Sequence, residues 1–342
     1  MARSSGSLRT YVITRVALTI PMVFILLTMV FLLMRVAPGD PIQAALGGRL
    51  PPAQLAIRRH AAGYDRPLIV QYGQYLGSVV TGHFGTAITD GRPVTQIIAV
   101  NGAATLELSV AALIVALCVG VPLGLYSGRF RNSTFDVGSR LFGIVAYAAP
   151  VFFVGLLAQL FFGKYLEWLP ASGQAGPLVQ ALLPQHTHIL VIDALLAGDW
   201  SALRDVLLHL IMPACTLGLL VSGVFIRLVR VNIIQTLKAD YIEAARARGI
   251  VERRVVVRHA FRNALVPVVT VMGLQAALLL SGAVLTEETF NWPGIGNQLI
   301  TYLNNRDYTA VQGIITVFAL VVVVVSLVID LVTVLVDPRV KY

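Results

Sequence analysis

Six stretches of mostly apolar residues, each long enough to cross a lipid bilayer as a helix, constrain this chain more than any other feature. They cover residues 11–34, 104–126, 137–162, 206–226, 264–284 and 310–336. Spanning the hydrocarbon core takes about 20 residues of helix, and backbone inside it must satisfy its own hydrogen bonds. The expectation is an all-α integral membrane protein with six transmembrane helices. Only 13% of the residues are charged, about half the share usual in a soluble domain. A seventh apolar stretch, 189–196, is too short to span and is interrupted by Asp193, so it reads as an interfacial or extracytoplasmic helix. The first run has no small-residue cleavage site after it and is read as a span rather than a removable leader. Gly120, Gly124 and Gly128 recur at every fourth position of the second run, a small-residue face suited to close helix packing, and Pro122 on the same helix is a candidate kink.

Basic residues set the orientation, because Lys and Arg gather on cytoplasmic loops. The chain carries 26 Lys and Arg against 17 Asp and Glu, a formal net charge of +9. Arg3, Arg9 and Arg15 stand at the start of the first span, and Arg129 and Arg131 lie between spans two and three. Nine cations, among them Arg227, Arg230, Lys238, Arg246 and Arg248, fall between spans four and five. Arg339 and Lys341 follow the last span, whereas the loop between spans five and six has only Arg306 against Glu287, Glu288 and Asp307. Both termini and the nine-cation loop are therefore expected in the cytoplasm. The layout is a cytoplasmic N-terminus with the first span (1–34), an extracytoplasmic cap region (35–103), a five-helix core (104–336) with a cytoplasmic loop at 227–263, and a cytoplasmic tail (337–342). Helical patterning at 53–62 and 69–80, with turn signals at Gly39-Asp40-Pro41 and Thr89-Asp90-Gly91, argues that the cap region is ordered. Positive charge distributed by topology, with no aromatic interleaving, speaks against nucleic acid as a partner. Cys118 and Cys215 both lie inside apolar runs and imply no disulfide framework.

One segment of the basic loop has its own start and stop signals. Asp240 is a good helix N-cap, with Glu243 three residues later in the capping-box arrangement, and Gly249 supplies a left-handed stop. Between them lie eight residues, 241–248, about 12 Å of helix at 1.5 Å per residue. Ala244 and Ala245 are small enough to let a partner surface approach, while Arg246 and Arg248 are left for solvent, lipid headgroups or acidic partner residues. So short a helix is not stable alone in water and has to pack on something. By pattern alone, a helix that merely joins two spans is the simpler reading.

Glu243-Ala244-Ala245 followed by Gly249 resembles the cytoplasmic EAA signature of binding-protein-dependent ABC importer permeases. Downstream, Arg258-His-Ala-Phe-Arg-Asn-Ala-Leu-Val-Pro267 is similar to the dipeptide, oligopeptide and nickel branch, and Val266 stands where the broader family pattern has Leu. Arg35-Val-Ala-Pro-Gly-Asp-Pro41, Gly63-Tyr-Asp-Arg-Pro-Leu-Ile-Val-Gln-Tyr72, Glu287-Glu-Thr-Phe-Asn-Trp-Pro-Gly-Ile-Gly296 and the ending Asp337-Pro-Arg-Val-Lys-Tyr342 resemble that branch in family order. The likeness is to the B-type permease subunit, which has an enlarged outer loop after span one. It implies a type I importer permease in a bacterial cytoplasmic membrane, with Asp240, Tyr241, Glu243, Ala244, Ala245, Arg246 and Gly249 at the ATPase-coupling site. It also implies outer-loop or gate roles for Gly39, Asp40 and Pro41 and for Trp292, Pro293, Gly294 and Gly296. The implied partners are a second homologous permease, one or two cytoplasmic ATPase subunits holding ATP and Mg, an external substrate-binding protein and membrane lipid. The implied cargo is a peptide, with nickel or another small solute as alternatives.

The residues offer little for other classes. The only Gly-Lys pair, Gly163-Lys164, has Ala158 where a P-loop needs its first glycine and Tyr165 where it needs Ser or Thr. No Ser/His/Asp or Cys/His arrangement and no His-Glu-x-x-His is evident, so no catalytic or nucleotide site is expected in this chain. His186 and His188 form an outer His-x-His pair better read as solvated than as metal ligands. Glu107 and Asp330 fall within spans two and six, where a stand-alone ion-coupled transporter would place proton relays. Without deep basic partners they read first as interhelical hydrogen-bonding groups.

Overall fold

A computed structural model describes residues 8–36, 51–61 and 63–336. The motif Gly39-Asp40-Pro41 and the 337–342 tail lie outside the described residues. In chain order the longer elements are α1 (Leu8–Val36), α2 (Pro52–Ala61), α3 (Leu68–Val80), α4 (Val94–Arg129), α5 (Thr134–Ala148), α6 (Val151–Ala158), α7 (Leu190–Ala197), α8 (Trp200–Thr236), α9 (Asp240–Ala247), α10 (Val266–Gly282), α11 (Ile295–Asn304) and α12 (Tyr308–Val336). Among the described residues there is no strand, only an isolated bridge between Thr86 and Pro93. Four helices are long and apolar enough to cross a membrane, and two bent pairs raise the number to as many as six.

The first bent pair corrects one of the expected spans. The third run is not one helix: α5 stops at Ala148, and the pair formed with the helix from Val151 bends by 102°. Pro150 is the cause, because the residue before a proline is pushed out of the α region, and Ala149 sits at φ −73°, ψ 133°. The fifth run, expected at 264–284, is occupied by α10, and a 53° bend separates α10 from the helical segment that precedes it and ends at Ala264. Pro267 lacks the N–H that would continue the helix through this point. By contrast, α4 runs unbroken through Pro122 and α8 through Pro213. Both are much longer than the apolar runs that announced them.

The chain forms two compact units, one of residues 1–105 with 293–327 and one of 106–292 with 328–341. In the first, helices fall where patterning placed them, as α2 and α3. Tyr72 on α3 shares a hydrogen bond with Thr28 on α1, and Gln71 accepts from Arg35 Nε at 2.9 Å while its amide donates to the carbonyls of Tyr64 and Arg66. The stretch from Gly63 to Tyr72 therefore fastens α3 to α1. A core of Val94, Ile97, Ile295, Tyr302, Val311 and Ile314 joins α4, α11 and α12. Asp307, fully buried, accepts from Ala310 N–H at the start of α12 and from Ile88 N–H, Thr89 N–H and Thr89 Oγ1. One carboxylate thus caps a helix and pins the Thr89-Asp90-Gly91 turn. Tyr302 donates to Asp90 at 2.7 Å. Burial and that carboxylate raise its hydroxyl well above the ordinary tyrosine range, so it remains a donor.

In the second unit the glycine face of α4 meets α8. A Cβ on Gly120, Gly124 or Gly128 would come within 2.6–2.8 Å of Phe225 Cβ, the Ile226 carbonyl or Ile233 Cγ2. Gly218 and Gly223 are equally crowded, the first by the Ala112 carbonyl of α4 and the second by the Gly143 carbonyl of α5. These contacts let the three backbones approach as small residues do in membrane bundles. Glu107 accepts from Gln174 Nε2 and from Val191 N–H at the start of α7. It is an interhelical hydrogen-bonding group, as the preferred reading of that residue held. Asp330 falls within α12.

Candidate functional site

α9 lies between α8 and the bent helix pair that ends in α10. Its start lies one residue earlier than the spacing suggested. The N-cap is Ala239, in an extended conformation, with no side-chain capping bond. Asp240 is the first helical residue rather than the cap, and the capping box with Glu243 does not form. Both acids instead stand in the first turn, where the positive end of the helix dipole favours them. The stop is where the glycine placed it. Gly249 has φ +74°, its N–H donates to the Arg246 carbonyl at 2.9 Å, and Ile250 N–H donates to the Ala245 carbonyl at 3.3 Å. That pair of bonds is a Schellman cap, and the apolar residue after it packs back on the helix.

The helix is mounted by a small core. Ile242 is fully buried and Ala245 7% exposed, packed with Val255 and Ala260 and flanked by Leu237 and Ile250. At about 100° per residue, Asp240, Glu243, Ala244 and Ala247 fall on the opposite face, and all four are exposed. Ala245 faces the mount, and Ala247 lies on the outward stripe. Arg246 is not free for a partner either. Its guanidinium grips Glu252 with two bonds, of 3.1 and 2.8 Å. Tyr241 Oη accepts from Asn263 Nδ2 at 2.8 Å. Among the described residues Glu243 has no hydrogen bond or ion pair, and it points its charge outward beside two alanines.

The Trp292 side chain is fully buried. The Trp292 backbone N–H donates to the Glu287 carbonyl at 2.8 Å. The Pro293 carbonyl accepts from Asn101, Gly294 is the N-cap of α11, and Gly296 is buried in that helix. His186 and His188 belong to a turn built around Asp193, whose Oδ1 accepts from the N–H groups of His186 and Thr187. Among the described residues no group of three or more His, Cys, Asp or Glu side chains is placed to hold a metal ion.

Two features had no signal in the sequence. One is an open groove of about 970 Å³ along α5, α8 and α10, lined by Ile144, Tyr147, Val231, Val271 and Gln275, with Arg140 and Arg227 also on its wall. The other is a buried ion pair between Asp136 and Arg230, which are 94 positions apart and have no motif to join them.

Fold and site together define a multi-span helical membrane protein that presents a short, rigidly mounted helix between two of its apolar segments. The family model described as "binding-protein-dependent transport system inner membrane component" matches residues 120–342, and its N-terminal companion, "binding-prot-dependent transport system membrane comp, N-term", matches residues 8–95. The chain belongs to this family of inner-membrane transport permeases. It is 38% identical over 333 residues to the di/tripeptide transport system permease protein DppB of Pseudomonas aeruginosa, covering 97% of this chain and 98% of that one. It is 36% identical to the dipeptide transport system permease protein DppB of Alkalihalophilus pseudofirmus (97% and 99% covered). With the glutathione transport system permease protein GsiC of Salmonella choleraesuis it shares 33% identity, again over 97% and 99%.

Proposed function

We propose that this chain is the permease subunit of an ABC importer that passes di- and oligopeptides across a bacterial cytoplasmic membrane. ATP, with Mg, is hydrolysed on separate ATPase subunits, and an external binding protein delivers the cargo. A second, homologous permease completes the pathway. Both termini and the 227–263 loop lie in the cytoplasm, following the nine-cation bias of that loop. The 35–103 region forms an outer cap. The peptide cargo follows the near full-length likeness to permeases named for dipeptides, tripeptides and glutathione.

The observation that carries this reading is α9 itself. It buries one face in its own loop and leaves Asp240, Glu243, Ala244 and Ala247 outward, which suits a helix seated in a cleft of a partner. ATP-driven closure of the ATPases would draw α9 with it and switch the permease between inward- and outward-facing states, a population shift of several kcal/mol. The groove along α5, α8 and α10 is suited to form one wall of the pathway. Pull-down of the tagged chain from gently solubilised membranes tests the reading. The wild type should bring a Walker-A ATPase and a second permease, and Glu243→Lys and Gly249→Asp should insert normally but lose the ATPase. Full ATPase recovery with both variants would rule out α9 as the docking element.

A further inference from the structure

Asp136 and Arg230 form a buried ion pair, with side chains 0% and 16% exposed. Arg230 donates through Nε to Oδ1 at 2.5 Å and through Nη2 to Oδ2 at 2.9 Å. Ser127 Oγ donates to Oδ1 at 2.5 Å and Asn132 N–H to Oδ2 at 2.9 Å, while Arg140 approaches Oδ1 at 3.8 Å. A single carboxylate therefore ties the last turn of α4, the turn after it and the first turn of α5 to α8. The backbones around it already touch at Gly120, Gly124 and Gly128 against α8, and at Gly143 against Gly223. Three residues after α8 ends, α9 begins, and Leu237 in that link packs against both the α4–α8 core and the core under α9. Beyond this block the chain changes character on both sides. α5 ends at the 102° bend before Pro150, and α9 leads into a π-helical turn, Val255–Ala260, and the 53° bend before Pro267.

We propose that Asp136 and Arg230 are positioning residues for transport. Their pair makes the end of α4, all of α5 and the second half of α8 travel with α9 as one lever, whose limits are the two bends. The groove wall on α5 and α8 is then moved directly by α9. This inference rests on α9 being the ATPase docking element. A pair that served only to hold the fold would leave nucleotide-driven movement unchanged when replaced.

Removing one partner strands a buried charge, whereas replacing both by apolar residues of similar volume is often tolerated. The deciding variant is therefore Asp136→Leu with Arg230→Met. The experiment uses the complete transporter in lipid nanodiscs, with Cys118 and Cys215 replaced by serine and spin labels introduced as Arg248→Cys beside α9 and Val145→Cys on α5. Distances are recorded by double electron–electron resonance without nucleotide and with Mg-ATP plus vanadate. In the otherwise wild-type complex the α9–α5 distribution should be the same in both states. In the double variant, purified with its ATPase, it should shift or broaden with nucleotide. An ATPase-bearing double variant whose distribution stays fixed, or a wild-type distribution that itself shifts with nucleotide, would overturn the lever while leaving the docking role standing. Absence of the ATPase from the wild-type complex would overturn both.

Discussion

Ile242→Ala separates the mounting of α9 from its outward face. Ile242 is fully buried among Ala245, Val255 and Ala260, and α9 is eight residues long, too short to hold itself. Ile→Ala in a core costs about 2–5 kcal/mol, and a cluster this small and close to solvent should fall near the lower end, about 2.5–3 kcal/mol. At about 1.4 kcal/mol per tenfold, local opening of α9 should become roughly 100-fold more frequent. Hydrogen exchange read by mass spectrometry on the purified complex should show that loss of protection in the amides of 243–250, with the α4 and α8 amides unchanged. ATPase recovery should drop with it. Ala247→Leu is the counterpart: it lies on the outward stripe, so it should leave exchange unaltered yet reduce ATPase recovery. Unchanged protection in Ile242→Ala would refute the buried mount. Full ATPase recovery in Ala247→Leu would refute the assignment of the outward stripe.

Gly124→Val should prevent assembly of the α4–α8 pair, because even its Cβ would lie 2.8 Å from the Ile226 carbonyl, whereas Gly138→Ala, with nothing within 4 Å, should express and assemble like wild type. Membrane yield and size-exclusion profile in mild detergent distinguish the two. Asp307→Ala removes the acceptor from three N–H donors, the buried one of Ala310 and the part-buried ones of Ile88 and Thr89. At about 1–3 kcal/mol for each buried donor left unsatisfied, it should be among the most destabilising single changes outside α9, read as a fall in the thermal unfolding midpoint of the purified protein.

Local signals in the chain were strong where one residue type settles a conformation by itself. Gly249 stops α9 in the left-handed region because other residues resist it. The Gly120-Gly124-Gly128 face packs closely because only glycine leaves room for a neighbouring backbone. Signals were weaker where alternatives one residue apart are nearly equal in energy. The cap of α9 slid from Asp240 to Ala239. The bends at Pro150 and Pro267 stood in the sequence as prolines, but prolines at 122 and 213 leave their helices unbroken.

Hydropathy and charge, summed over windows of twenty residues, are enough to determine an all-α membrane protein with up to six spans. Its motifs are specific enough to point to a permease family. Those properties are additive along the chain, so no contact need be known to read them. The outward stripe of α9, the Arg246–Glu252 grip, the groove on α5, α8 and α10, and the Asp136–Arg230 pair were decided only by the tertiary structure. Each joins or sorts residues by their place in three dimensions. A carboxylate at 136 and a guanidinium at 230 become partners only because glycine-lined helices bring their backbones together.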